Sequence, residues 1–538
     1  MQNDENYAAD AVHTDILDNI VARRKQDRAA LGWTFGAHVP ETRCRAAPVP
    51  FIAEKGVVLE IKRASPSKGD IAPALDAAAT AAQYAAAGAS AISVLTESHW
   101  FKGSLDDIQE AARAADDYAA AHGTPRLSIL RKDFLFAPEE VDVAYRAGAD
   151  AVLLIARILD DDTLCAMMER CAALGMTAFL ELREEEDLRK LSRLVQTMRS
   201  GSTTKSNLPL VCGVNARDLR DFSIDLLTPA SLSAEIRAIA GSDARVIFES
   251  GIRTPAAARF AGSLGFTGML LGEAAARNPC AATALVDAFT SARETANARF
   301  WCRHAADIRA RAASSRPFVK ICGLTRLADA LKAAALGADF LGFIFYEQSP
   351  RRADERTVRT ICAEIKRQYG KNAPQLVGVA VDTEHGAGAR AQALVAEGVL
   401  DVIQLHGFHA AERFLATDEN AALPHYAAVN LADENDLTAF DALRLHGEPR
   451  ILIDAKDGPL VGGTGTRIAD TLVAQVCRKT RLWIAGGITP ENVRGIADTF
   501  RPELLDVASG VEASPGTKDH KKLAALFSAL GAKRTAFV

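Results

Sequence analysis

Short apolar runs alternate with Ala-rich helical stretches along the whole chain, and this alternation leaves few folds open. In the first half the runs cover 57–62, 91–95, 127–132, 151–155, 177–181, 210–215, 245–249 and 268–272. In the second they cover 318–322, 340–345, 376–381, 402–405, 426–429, 451–454, 482–485 and 504–508. Continuous apolar strands separated by helical patterns indicate parallel sheets covered on both faces. A chain of 538 residues is too long for one core, since cores stop growing near ~250–300 residues. Eight βα units in each half predict an α/β protein made of two tandem (β/α)8 TIM barrels. The halves also echo each other. Glu249-Ser-Gly-Ile-Arg-Thr-Pro-Ala in the first resembles Ala485-Gly-Gly-Ile-Thr-Pro-Glu-Asn in the second. The expected division is a first barrel over 1–290 with an extra N-terminal helix, a basic linker helix over 291–316, and a second barrel over 317–538. Each barrel should fold alone.

Composition narrows the partners. Net charge is −5, from 63 Lys plus Arg against 68 Asp plus Glu, so no long-range field favours nucleic acid or an anionic membrane. The nine cysteines are scattered, without CxxC or zinc spacing, so the reading is free thiols in a reducing compartment and no metal. The opening residues are polar and acidic, without a basic start or an apolar stretch. No apolar run is long enough to span a bilayer. A cytoplasmic monomer acting on small molecules is expected.

In such barrels the active site sits at the C-terminal ends of the strands. In the first half those ends carry Glu60 and Lys62, Lys132 and Asp133, Glu181, and Asn215. The loop Arg63-Ala-Ser-Pro-Ser-Lys-Gly69, with Ser65 in it, is basic and hydroxyl-rich and suits an anion clasp or a lid. Ser250-Gly251 and Gly272-Glu273 follow strands seven and eight, where these barrels hold phosphate on backbone N–H groups. In the second half, strand one ends in Cys322 and strand six in Asp454. A thiolate there can take a proton and a neutral carboxyl can give one. His406 ends strand four. A Gly-rich loop follows Asp454 and includes Gly463, and the turns Gly486-Gly487 and Ser509-Gly510 follow strands seven and eight.

Glu60-Ile-Lys-Arg-Ala-Ser-Pro-Ser-Lys-Gly69, Leu130-Arg-Lys-Asp-Phe134, Asn215-Ala-Arg-Asp-Leu219 and Glu249-Ser-Gly-Ile252 resemble indole-glycerol-phosphate synthase. Phe318-Val-Lys-Ile-Cys-Gly-Leu-Thr325, Gln404-Leu-His-Gly407, Gly462-Gly-Thr-Gly465 and Asp506-Val-Ala-Ser-Gly-Val-Glu512 resemble phosphoribosylanthranilate isomerase. The synthase-then-isomerase order is similar to the fused bacterial enzyme of tryptophan biosynthesis. The resemblance implies phosphorylated anthranilate substrates and no cofactor. It implies that Lys132 is the general acid and Glu181 the general base of indole ring closure. Lys62 would lie near the substrate carboxylate and phosphate and could also donate a proton, Glu60 and Asn215 would position these groups, and Ser250, Gly251, Gly272 and Glu273 would surround the phosphate. In the isomerase, Asp454 would be the general acid, Cys322 the general base, and Arg351 the contact for the anthranilate carboxylate.

The sequence departs from the pattern in three places. An insertion near 192–207 is expected to be a surface loop. A lysine expected after strand five of the second barrel is replaced within Tyr426-Ala-Ala-Val429, at Ala427, and 466–470 lacks the family's aromatic run. The alternative is therefore a live synthase joined to a degenerate, phosphate-binding isomerase barrel. For a live isomerase, burial beneath a bound ring should raise Asp454, and Lys320 or the local helix ends should lower Cys322.

Overall fold

Each expected strand run forms a strand, and each set of eight closes on itself. The computed structural model describes residues 16–201, 210–218, 223–311, 316–455 and 467–531. The first barrel has β1 (Gly56–Ile61), β2 (Ala91–Leu95), β3 (Ser128–Lys132), β4 (Ala151–Ile155), β5 (Thr177–Leu182), β6 (Leu210–Asn215), β7 (Val246–Glu249) and β8 (Gly268–Leu271). All pairings are parallel, and β1 closes the ring by pairing with both β2 and β8. The second barrel has β9 (Phe318–Ile321), β10 (Phe340–Phe345), β11 (Gln375–Ala380), β12 (Val402–His406), β13 (His425–Leu431), β14 (Ile451–Ala455), β15 (Trp483–Ala485) and β16 (Leu504–Val507), with β9 closing on β16.

Alternation along the strands builds both the core and the site. Val58, Leu130, Phe179, Val211, Ile247 and Leu270 belong to one buried cluster inside the first barrel. Because side chains repeat every second residue, the next inward positions toward the strand ends are Glu60, Lys132, Glu181, Gly213 and then Asn215, Glu249, and Gly272. The apolar layer is thus capped by a polar layer.

The chain divides into two compact units, 1–222 with 228–292, and 223–227 with 293–538. The basic stretch expected to link the barrels is instead a structural part of the second unit. Its helix, Ala296–Ala310, buries Asn297, Phe300, Trp301 and His304, which recur at a spacing that shares one face. Trp301 and His304 pack on Trp483 at ring separations of 5.9 and 5.3 Å, and His304 also meets Phe318 and Phe340. Removing one such aromatic from a core costs ~3–5 kcal/mol. A fragment cut at 317 should therefore be insoluble, or melt roughly 10 °C or more below one that starts at 293. Equal melting temperatures would show that the helix is dispensable.

The insertion also differs from expectation. Residues 192–201 continue the helix Glu185–Gly201, because Leu188, Leu191, Leu194 and Val195 are all buried and hold it as an amphipathic helix. The rest of the insertion up to 207 lies outside the described residues.

Candidate active sites

In the first barrel the polar layer forms the floor of a cavity of about 1220 Å³ open to solvent. Glu60, Lys62, Ser65, Lys132, Glu181, Asn215, Ser250, Gly251, Gly272 and Glu273 all line it. Lys132 Nζ stands 3.7 Å from Glu181 Oε2 and 3.6 Å from Glu249 Oε2. Asn215 Nδ2 donates to Glu181 Oε1 at 3.5 Å. Lys62 Nζ lies 3.3 Å from Glu60 Oε1 and over the Phe101 ring, and Ser93 Oγ donates to Glu60 Oε2. Glycine at 272 makes room for Glu60, since a Cβ there would lie 2.5 Å from Glu60 Oε1.

Glu249 is a site residue that the sequence reading quoted only as part of a motif. It is 1% exposed, and among the described residues its Oε1 has no hydrogen-bond partner. Burial, and then the neighbouring Glu181, push its carboxyl up to about 8. Burial disfavours the Lys132 ammonium, but Glu249, Glu181 and Glu60 outweigh it, so the lysine pKa is raised. Lys132 thus lies between Glu181 and Glu249, with the lysine held toward its charged form and the Glu249 carboxyl pushed toward its neutral one.

Ser250 and Gly251 take left-handed conformations, with φ of 70° and 84°. Consecutive positive φ values turn the backbone sharply at the strand-seven rim, a shape suited to presenting N–H groups to an anion. Glu273 offers such a ligand less than expected. Its carboxylate is held by Arg253 and Arg277, each at 3.3 Å, so its side chain would repel phosphate and only its backbone N–H could help. Lys68, Arg217 and Arg253 also line the cavity, and Lys68 and Arg253 act on the Glu273 carboxylate; the strand-end reading singled out none of the three. The N-terminal helix Ile16–Leu31 supplies Ile16, Leu17 and Ile20 to the lining. Its Arg24 is fixed by Asp133 at 3.0 Å and by Glu140. Asp133 also lines the cavity, but its carboxylate is occupied in a buried ion-pair network with Arg24 and Arg131.

The second barrel holds a cavity of about 770 Å³ lined by Cys322, Arg351, His406, Asp454, Gly486, Gly487, Ser509 and Gly510. Gly463 lies outside the described residues. Gly486 and Gly487 repeat the left-handed turn, with φ of 92° and 62°. Beneath the lining, Lys320 is wholly buried and donates to Asp506 at 2.6 Å and Gln404 at 2.9 Å. Lys320 and Asp506 are register partners on β9 and β16, which is why they meet. Asp454 is pushed up to about 7 by burial and then by Asp506. The expectation for Cys322 fails. Burial raises its thiol, and Lys320 does not reverse this because Asp506 acts against it. His406 is driven down to about 4 by burial and Lys320, so it is a neutral imidazole at physiological pH.

Among the described residues, the one trio with metal-ligand spacing is Asp382, Glu384 and His385. None of the three lines either cavity.

Comparison with known proteins follows the two-barrel division. The family model described as indole-3-glycerol phosphate synthase matches residues 46–286. The one described as N-(5'-phosphoribosyl)anthranilate (PRA) isomerase matches 319–529. A multifunctional tryptophan biosynthesis protein of Schizosaccharomyces pombe is 31% identical, over 89% of this chain and 60% of its own length. This chain therefore spans only about three fifths of that relative. A tryptophan biosynthesis protein of Phytophthora nicotianae is 32% identical over 83% of this chain and 86% of its own. The tryptophan biosynthesis protein TrpCF of Vibrio parahaemolyticus is 30% identical, over 88% and 84%. With both domain families present in tandem, and relatives matched nearly end to end, the chain belongs to the family of fused indole-3-glycerol phosphate synthases and phosphoribosylanthranilate isomerases.

Proposed function

We propose that the chain carries out two consecutive steps of tryptophan biosynthesis, one in each barrel. The observation that carries this reading is that each barrel gathers an acid–base pair in one cavity at its C-terminal rim: Lys132 with Glu181, and Asp454 with Cys322. In the second barrel, neutral Asp454 protonates the ribose ring oxygen of N-(5-phosphoribosyl)anthranilate, and the ring opens. Cys322, as thiolate, takes the C2 proton, which completes the Amadori rearrangement to the carboxyphenylamino-deoxyribulose phosphate. Arg351 binds the anthranilate carboxylate. In the first barrel that product loses carbon dioxide and water as the indole ring closes. Lys132 protonates the ketone oxygen and Glu181 removes a proton, with Lys62 near the substrate carboxylate and Asn215 orienting Glu181. The left-handed turns at 250–251 and 486–487 bind the phosphate of each substrate.

Cys322 and Asp454 line one cavity, and nothing there favours a degenerate second barrel. Each cavity is lined by residues of its own unit, which supports a monomer being sufficient. The nine cysteines are free thiols, which supports a reducing, cytoplasmic setting. Among the described residues no helix is long and apolar enough to cross a membrane. The test is to give purified protein N-(5-phosphoribosyl)anthranilate and follow indole-glycerol phosphate. Formation of that product is expected. Accumulation of the intermediate, or no turnover at all, would remove one or both activities.

A further inference from the structure

Arg351 does not stand free at the rim of the second cavity. Glu512 grips it along one edge, with Nε 3.1 and 3.0 Å from Oε1 and Oε2, and Nη2 3.0 Å from Oε2. Glu512 is itself locked. The buried Lys518 Nζ stands 3.0 Å from its Oε1 and also donates to the Ala508 carbonyl, and the Gly516 N–H donates to Oε1 at 3.3 Å. Lys522 Nζ donates to the Glu512 backbone carbonyl. From below, the arginine stem lies against Gly323, where a Cβ would be 2.9 Å from Arg351 Cδ. Three rim segments therefore converge on one guanidinium: the turn after β9, the loop after β10, and the ribbon Glu512–Ser514 with Thr517–Lys518.

A guanidinium has five N–H donors in a rigid planar fork. Glu512 occupies the Nε and Nη2 edge, which leaves Nη1 and the outer N–H of Nη2 for a second planar anion. Arg351, Glu512 and Lys518 together carry a net positive charge, so engaging Glu512 does not cancel the attraction for an incoming carboxylate. From this geometry we infer that Glu512, braced by Lys518, is a positioning residue for the aromatic carboxylate of the substrate and acts through Arg351. The inference rests on the isomerase reading above.

Glu512→Gln keeps the shape and removes the charge. Two competitive inhibitors of isomerase turnover report on it: the reduced product analogue bearing the ring carboxylate, and the same phenylamino sugar phosphate without it. Measuring inhibition constants in the isomerase assay keeps the synthase site out of the readout. Native protein should favour the carboxylated analogue. In Glu512→Gln its inhibition constant should rise about tenfold, with the decarboxy analogue and kcat changed no more than about twofold. In an Arg351→Met background, Glu512→Gln should change nothing further. If Glu512→Gln proves insoluble, Glu512→Asp keeps the charge but falls one methylene short, and it should show the same selective loss in smaller degree. Equal weakening of both analogues, or of neither, overturns the inference. If the native protein is inhibited by neither analogue and does not turn over, the isomerase reading fails instead.

Discussion

Replacing Lys132 with alanine should lower synthase turnover by ~10²–10⁴-fold and leave isomerase turnover unchanged. The ammonium is held charged because Glu249, Glu181 and Glu60 together outweigh its burial, so in the free enzyme it is already in the form a general acid needs. Its loss has a second consequence. Lys132 is within 3.7 Å of Glu181 and 3.6 Å of Glu249, and without it these buried carboxyls face one another with no cation between them. Glu181→Gln should fall within the same range by losing the base alone. Glu249→Gln makes a useful contrast. Its carboxyl is pushed up to about 8, toward the neutral form that an amide mimics. That variant should keep turnover within about tenfold of native, and any native titration step near pH 8 should disappear. Single-turnover rates on the purified intermediate measure all three. Near-native turnover in Lys132→Ala would remove the lysine from the chemistry.

The sixteen strands were legible in the sequence because each buried run is short, apolar and bounded by helical pattern, and a closed parallel barrel needs just such runs. The site was legible where an unexpected polar residue ended a run, as at Lys132, Glu181, Cys322 and Asp454. Glu249 shows what that reading passed over. It sits two residues beyond Ile247, a core position of the same strand, so the same alternation rule points it into the mouth. Its place in a turn motif drew attention to Ser250 and Gly251 instead. Arg217, Arg253 and Lys68 lie on loops, where no periodicity says which way a side chain turns. By composition alone the helix Ala296–Ala310 reads as a connector, because it is basic and rich in Ala and Arg. Its signal was the spacing of Asn297, Phe300, Trp301 and His304, one face of a helix. The raised thiol of Cys322 could not be read from the chain at all. It comes first from burial, and Lys320 does not reverse it because Asp506 opposes Lys320 from the neighbouring strand, 186 residues away in sequence.

Asp454→Asn and Cys322→Ala should each lower isomerase turnover by ~10²–10⁴-fold, with synthase turnover unaffected. On the proposed roles the two groups must work in opposite states, since Asp454 would have to carry a proton and Cys322 to lack one. With Asp454 near 7 and Cys322 raised above its ordinary 9.0, the commonest state at intermediate pH is the wrong one, with carboxylate and thiol. The productive form, carboxylic acid with thiolate, is then present at the order of one molecule in a hundred or fewer. The sign of each limb follows. As pH rises toward 7, kcat/KM increases, because the concentration of thiolate grows tenfold per unit while Asp454 is still mostly protonated. Above that point thiolate gained is matched by acid lost, and the profile is flat. It falls only once Cys322 itself is ionised and further deprotonation of Asp454 goes uncompensated. The acid limb thus belongs to Asp454 and the alkaline limb to Cys322, the reverse of what a low-pKa thiol would give. Alkylation of Cys322 by iodoacetamide separates the two assignments, because only the thiolate reacts. In the free enzyme its rate should still be rising past pH 9.0. A rate that levels off below about pH 8, under the unperturbed thiol value, would mean that Lys320 does prevail over burial and Asp506. Cys322→Ser should be poor on either assignment, since an alkoxide is far harder to form than a thiolate. Native turnover in that variant would make the thiol a packing residue and leave Asp454 without its partner.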